Sequence, residues 1–219
     1  MGGWQQFHGR GYGKVMRMLD GWMRGVIDPG LGRIGKSLAD RGVTADAVTL
    51  AGLALGLLAA AVLALGGPGW AAALPLMASR VADGLDGAVA RARGKTDFGG
   101  YLDIVCDFVF YAAIPMAFVL RDPAANGVAG AFLLASFYVN GSTFLGFAVL
   151  AEKRGMETRA RGEKSLYFTA GLLEGTETIG FFILLCLLPG WFAPLAWVFG
   201  GLCFVTALSR VGLALRSFR

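Results

Sequence analysis

The sequence predicts an all-α, polytopic membrane protein: six transmembrane helices preceded by an amphipathic helix in the cytoplasmic interface. Three observations carry that reading. Hydrophobic residues make up 56% of the 219 and charged residues only 16%, with a mean hydropathy of +0.61, beyond what a water-soluble domain sustains. Apolar runs recur at the ~20-residue length that a bilayer core requires. Glycine is abundant, at 34 residues, as in membrane helices that pack through small side chains, and no Gly-X-Y period offers another explanation.

Before the first apolar run, Val15, Met18, Leu19, Trp22, Met23 and Val26 recur at helical spacing, with Lys14, Arg17 and Arg24 on other faces. That pattern suits a helix lying on the membrane surface, or one packed on the spanning bundle. Asp28-Pro29 ends it and supplies an N-cap followed by proline at the first position of a further turn. Residues 1–43 are read as this interfacial segment and 44–219 as the spanning domain. The spans fall at roughly 46–66, 69–91, 99–120, 127–151, 166–188 and 191–213. Turn chemistry separates them: GGPG at 66–69, Gly94-Lys95, DPAANG at 122–127, a charged stretch at 152–164, and Pro189-Gly190.

Basic residues then orient the chain. Arg91, Arg93 and Lys95 lie in the second connection and Lys153, Arg154, Arg159, Arg161 and Lys164 in the fourth, on the same side as the basic N-terminal segment. The opposite connections hold only Arg121. By the positive-inside rule both termini are cytoplasmic. The net charge of +5 arises mostly there and suits anionic lipid; no soluble basic module points to nucleic acid. Cys106, Cys186 and Cys203 are embedded in apolar runs, and the lone histidine, His8, precedes every span, which argues against a disulfide framework, a zinc site and histidine catalysis.

Against this background the segment DGLDGAVARARGKTDFGGYLDIVCD at 83–107 stands out. A charged side chain at a helix centre costs roughly 2.5–3.5 kcal/mol on insertion scales, so four uncompensated aspartates approach the ~5–15 kcal/mol stability of an entire fold. Asp83 and Asp86 share one face near the cytoplasmic end of the second span, and Asp103 and Asp107 share one near the start of the third. A short hairpin lets the two faces meet. Four convergent carboxylates without cysteine or histidine make a hard, oxygen-only site suited to Mg²⁺ or Mn²⁺, as one ion or two. Gly84, Gly87, Ala90, Gly99 and Gly100 leave room beside it, either for close helix packing or for a nucleotide and its phosphates. Arg91 is placed either to meet a phosphate or to serve as an orientation charge.

The arrangement Asp83-x-x-Asp86-Gly87-x-x-Ala90-Arg91, then Gly99, then Asp103-x-x-x-Asp107, resembles the signature of the CDP-alcohol phosphotransferases. All eight fixed positions are matched, and the six spans and interfacial N-terminal helix are similar too. The loop between Arg91 and Gly99 is one residue shorter than in many members. Thr44-Ala45-Asp46 stands where Thr-Pro-Asn is frequent, and no role is carried over to it. The resemblance, to a bacterial inner-membrane branch, implies a transferase of phospholipid synthesis. An alcohol hydroxyl attacks the lipid-linked phosphate of a CDP-activated donor, CDP-diacylglycerol by default, and CMP leaves. It implies metal ligation by Asp83, Asp86, Asp103 and Asp107, with Asp107 also the general base. Gly84, Gly87, Ala90 and Gly99 would border the nucleotide and Arg91 its phosphates. It also implies a homodimer.

The acceptor side is less explicit. Asn140, Ser142 and Thr143 interrupt the fourth span, and Glu174, Thr176 and Glu177 the fifth. Hydroxyls within spans serve equally as helix glue, but intramembrane glutamates point to function or to ion pairing. Arg161 and Lys164 stand at the mouth of the fifth span, as phosphate contacts or as plain orientation charge. Glycerol 3-phosphate is the default acceptor. Two rival readings share the carboxylates. An intramembrane prenyltransferase with Asp-bound Mg²⁺ would want an acid where Ala90 stands. A cation or proton transporter would want ionisable groups continuing into the outward halves of these spans, which are apolar.

Overall fold

The computed structural model describes residues 30–155 and 175–218, and every regular element among them is helical. Residues 30–40 form α1. The others are α2 (Ala45–Ala64), α3 (Gly69–Arg93), α4 (Asp97–Arg121), α5 (Pro123–Lys153), α6 (Gly175–Leu187) and α7 (Phe192–Phe218), with a 3₁₀ turn at Pro189–Trp191. Each predicted span overlaps one of α2 to α7; residues 166–174, the start of the fifth span, lie outside the described residues. The stretches of α2, α4, α5 and Pro189–Phe218 are individually long and apolar enough to cross a bilayer, and α6 is a shorter apolar helix. In α3 the charges of Arg80, Asp83, Asp86, Arg91 and Arg93 lower the hydropathy of a helix that is 25 residues long. The chain is an all-helical polytopic membrane protein. The amphipathic segment at 15–26, Asp28-Pro29, His8, Arg161, Lys164 and Glu174 lie outside the described residues.

The helix ends follow from local chemistry. Thr44 caps α2 by accepting from the Ala47 amide at 3.2 Å, and Thr96 caps α4 by accepting from Gly99 at 3.0 Å. Asp122 caps α5 in the same way, with Pro123 at the first helical position. Gly94 closes α3 at φ 105, a left-handed value that favours glycine, and lets the chain reverse into α4 within three residues.

Packing brings α2 against α3 and α4, and α5 against α7. The Gly52 and Gly56 pair on α2 is used within the chain: a Cβ on Gly52 would stand 3.1 Å from Ala82 Cβ, and one on Gly56 would stand 2.5 Å from Phe110 Cδ2. An aromatic core fills the rest of the bundle. Phe118 stacks on Phe192 at 4.7 Å and Phe181 on Phe199 at 4.0 Å, while Phe110 and Phe182 meet edge to face at 5.8 Å. The carboxylate-bearing ends of α3 and α4 lie beyond this apolar layer, on the side of their short connection.

Candidate active site

The α3–α4 hairpin and the start of α2 build one polar cleft. Asp83, Asp103 and Asp107 each offer an oxygen lying within 4.8 Å of the other two, and all three are half-buried. Thr49, Ser79, Arg80, Asp83, Asp86 and Asp107 line the cleft. The donor set is oxygen-rich and carries a surplus of negative charge, which fits a hard divalent cation.

Asp86, the fourth aspartate of the motif, stands slightly apart. It is buried, and its Oδ2 accepts a hydrogen bond from the Thr49 hydroxyl on α2 at 2.7 Å. The Thr49 oxygen is also 3.1 Å from the Ala45 carbonyl, but its single proton favours the charged and closer acceptor. The structure therefore brings three of the four carboxylates together and ties the fourth to a neighbouring helix at the same cleft.

Sequence reasoning passes over Arg80, which is central to the geometry. One turn before Asp83, it donates through Nη1 to Asp107 Oδ1 at 2.9 Å and contacts Asp83 Oδ1 at 3.4 Å. Its Nη2 donates to Ser79 Oγ at 3.1 Å, and its guanidinium carbon lies 3.8 Å from the Phe110 ring centroid. The spacing Arg80 to Asp83 is legible as an i,i+3 pair; the reach to Asp107 on the next helix is not.

The small residues divide by neighbour. Gly84 faces α1, where a Cβ would stand 2.9 Å from Leu31 Cδ1, so it makes room for a packed leucine. Gly87 lies under the Arg91 guanidinium, with 3.4 Å from a virtual Cβ to Nη1. Gly99 borders Thr96 Oγ1 and Asp46 Oδ1, at 2.9 and 3.1 Å from such a Cβ. Ala90 is half-buried and Arg91 exposed at the end of α3. Arg93 ties that end to the connection before α2 by donating to the Val43 carbonyl at 3.1 Å.

Asn140 of α5 is held by the buried Arg210 of α7. Arg210 Nη1 lies 2.9 Å from Asn140 Oδ1, 3.1 Å from its carbonyl and 3.2 Å from Thr143 Oγ1. Thr143 and Ser142 donate to carbonyls of their own helix, at 2.8 Å in each case. Glu177 is half-buried in the first turn of α6, next to Gly175, whose virtual Cβ lies 3.4 Å from the Tyr111 hydroxyl. A cation inside the last span is the signal that points to Arg210 from sequence.

A helical membrane bundle with carboxylates converging from two adjacent spans defines a class of intramembrane, metal-competent site. The chain matches the CDP-alcohol phosphatidyltransferase family over residues 42–208 and belongs to it. It is therefore a transferase of substituted phosphate groups. It is 47% identical to the inner membrane protein YnjF of Escherichia coli over 196 residues, covering 89% of this chain and 94% of that one. It is also 32% identical to the archaetidylinositol phosphate synthase of Pyrococcus horikoshii over 182 residues, covering 80% of this chain and 89% of that one.

Proposed function

We propose that the protein transfers a phosphatidyl group from CDP-diacylglycerol to the hydroxyl of a small phosphorylated polyol, releasing CMP. The observation that carries this reading is the cluster of Asp83, Asp103 and Asp107 in a membrane bundle of this family. These three residues, with Asp86 at the same cleft, would hold Mg²⁺ or Mn²⁺, which when bound neutralises phosphate charge. Asp107 takes the proton of the attacking hydroxyl. The new bond forms to the lipid-linked phosphorus, the bond from that phosphorus to the bridging oxygen breaks, and CMP departs with the electron pair. Arg91 above Gly87 meets the donor phosphates, and Ala90 and Gly99 border the nucleotide. Asp107 is the base that the family resemblance implies, and the position of the one histidine, His8, before the spans favours a carboxylate in that role.

Glycerol 3-phosphate is the first acceptor to test, and the name of the Pyrococcus relative adds an inositol phosphate as the second. Asn140, held by Arg210, is kept as an acceptor-side assignment from sequence. Arg161, Lys164, Glu174 and Glu177 remain acceptor-side assignments from sequence. The basic connections support a cytoplasmic active site with both termini on that side, residues 1–43 as the interfacial segment and 44–219 as the catalytic domain. The similarity to an inner membrane protein supports placement in that membrane. A homodimer follows from the family reading.

The test is CMP release by the purified protein from CDP-diacylglycerol with glycerol 3-phosphate, inositol phosphate, serine or choline as acceptor. Release is expected with a phosphorylated polyol. Release with serine or choline alone would overturn the acceptor assignment, and release with none would overturn the donor assignment as well.

A further inference from the structure

We propose that Arg80 is a built-in counter-ion and positioning residue of the carboxylate site: it holds Asp83 and Asp107 together before a metal arrives and competes with that metal for their oxygens. The inference rests on the metal-binding reading given above. Its support is geometric. A single guanidinium nitrogen spans the two carboxylates, 2.9 Å from Asp107 Oδ1 and 3.4 Å from Asp83 Oδ1, and those two residues come from different helices. Without a cation between them, acids this close in a weakly screened interior would repel one another, a repulsion that Arg80 offsets in the metal-free site and that a bound divalent ion would offset in its place.

The side chain is fixed on every side that the structure describes. Ser79 Oγ takes the second terminal nitrogen at 3.1 Å, and the Phe110 ring lies against the guanidinium plane at 3.8 Å. Only 11% of the side chain is exposed, and its buried Nε finds no hydrogen-bond partner among the described residues. Leaving a buried donor unpaired is unfavourable, so the two terminal nitrogens, and not the whole donor fork, hold the group in place. One guanidinium also supplies a single positive charge to a group of three carboxylates, which leaves net negative charge for a divalent ion to occupy. Arg80 is thus enough to keep the ligands converged and too little to neutralise them.

The same charge opposes an incoming cation. Binding must loosen the contact to Asp107 Oδ1 or share that oxygen, so Arg80 moderates metal affinity while keeping the Asp107 carboxylate aimed. Removing the charge should therefore tighten metal binding and lower turnover together, a combination that loss of packing does not produce.

The experiment is Mn²⁺ binding to the full-length protein in detergent, followed by electron paramagnetic resonance of the free ion, for wild type, Arg80→Met and Arg80→Lys. The proposal predicts at least tenfold tighter Mn²⁺ binding by Arg80→Met, with reduced CMP release. Arg80→Lys keeps the charge and should bind within about threefold of wild type. Equal or weaker binding by Arg80→Met overturns the counter-ion role, and so does a tenfold gain in Arg80→Lys, which retains the ion pair and guards against a Met variant that does not fold. Wild type that binds no Mn²⁺ defeats the metal-site reading itself, which separates the two failures.

Discussion

Asp107 is assigned two tasks, and its surroundings bear on both. Its Oδ1 is engaged by Arg80, while the carboxylate also faces Asp83 and Asp103. Replacing it with asparagine preserves shape but removes the proton acceptor and one negative ligand. Asp107→Asn should lower turnover about 10²–10⁴-fold, the range for loss of a positioned general base, while CDP-diacylglycerol binding persists. Turnover near wild type in that variant would remove the base assignment. The aspartates were legible in the sequence because each is expensive in an apolar setting and their spacing places them on two helical faces. Arg80 and Thr49 were not. Their decisive partners, Asp107 and Asp86, lie 27 and 37 residues away, and those pairings exist only once α2, α3 and α4 pack.

At the scale of elements, run length and turn chemistry were enough to place six helices, since span length and breaks are local properties. Partner choice was not local. The Gly52 and Gly56 motif suits contact with another protomer as well as it suits contact with a neighbouring helix, and the structure uses it against α3 and Phe110. Gly56→Ala should therefore lower stability by about 1–3 kcal/mol through overpacking, because the added carbon meets the Phe110 ring. Gly201→Ala on α7, where a Cβ meets nothing within 4 Å, should be neutral or slightly stabilising. Unfolding midpoints of the two variants in the same detergent check the contrast; equal losses would contradict this account of the α2 interface. The acceptor side shows the same limit from the other direction. Asn140 was visible as a polar interruption, but its bond to Arg210 joins residues 70 apart across α5 and α7.

Over the whole molecule, the polar and apolar parts divide by depth. Stacked phenylalanines fill the interior of the bundle, and the carboxylates gather on the side where α3 turns into α4. Composition alone disclosed the membrane setting, and the eight matched motif positions disclosed the family that the wider match over residues 42–208 establishes. The identity of the alcohol was not legible, because the motif specifies the phosphate-transfer end and the acceptor side is built from scattered single residues. The central claim is that an oxygen-only carboxylate site drives transfer only when it holds a divalent cation. Its most direct test is CMP release from CDP-diacylglycerol before EDTA, after EDTA, and after Mg²⁺ or Mn²⁺ is restored. The account predicts loss of release with EDTA and its recovery with either ion; release that continues unchanged in excess EDTA would contradict it.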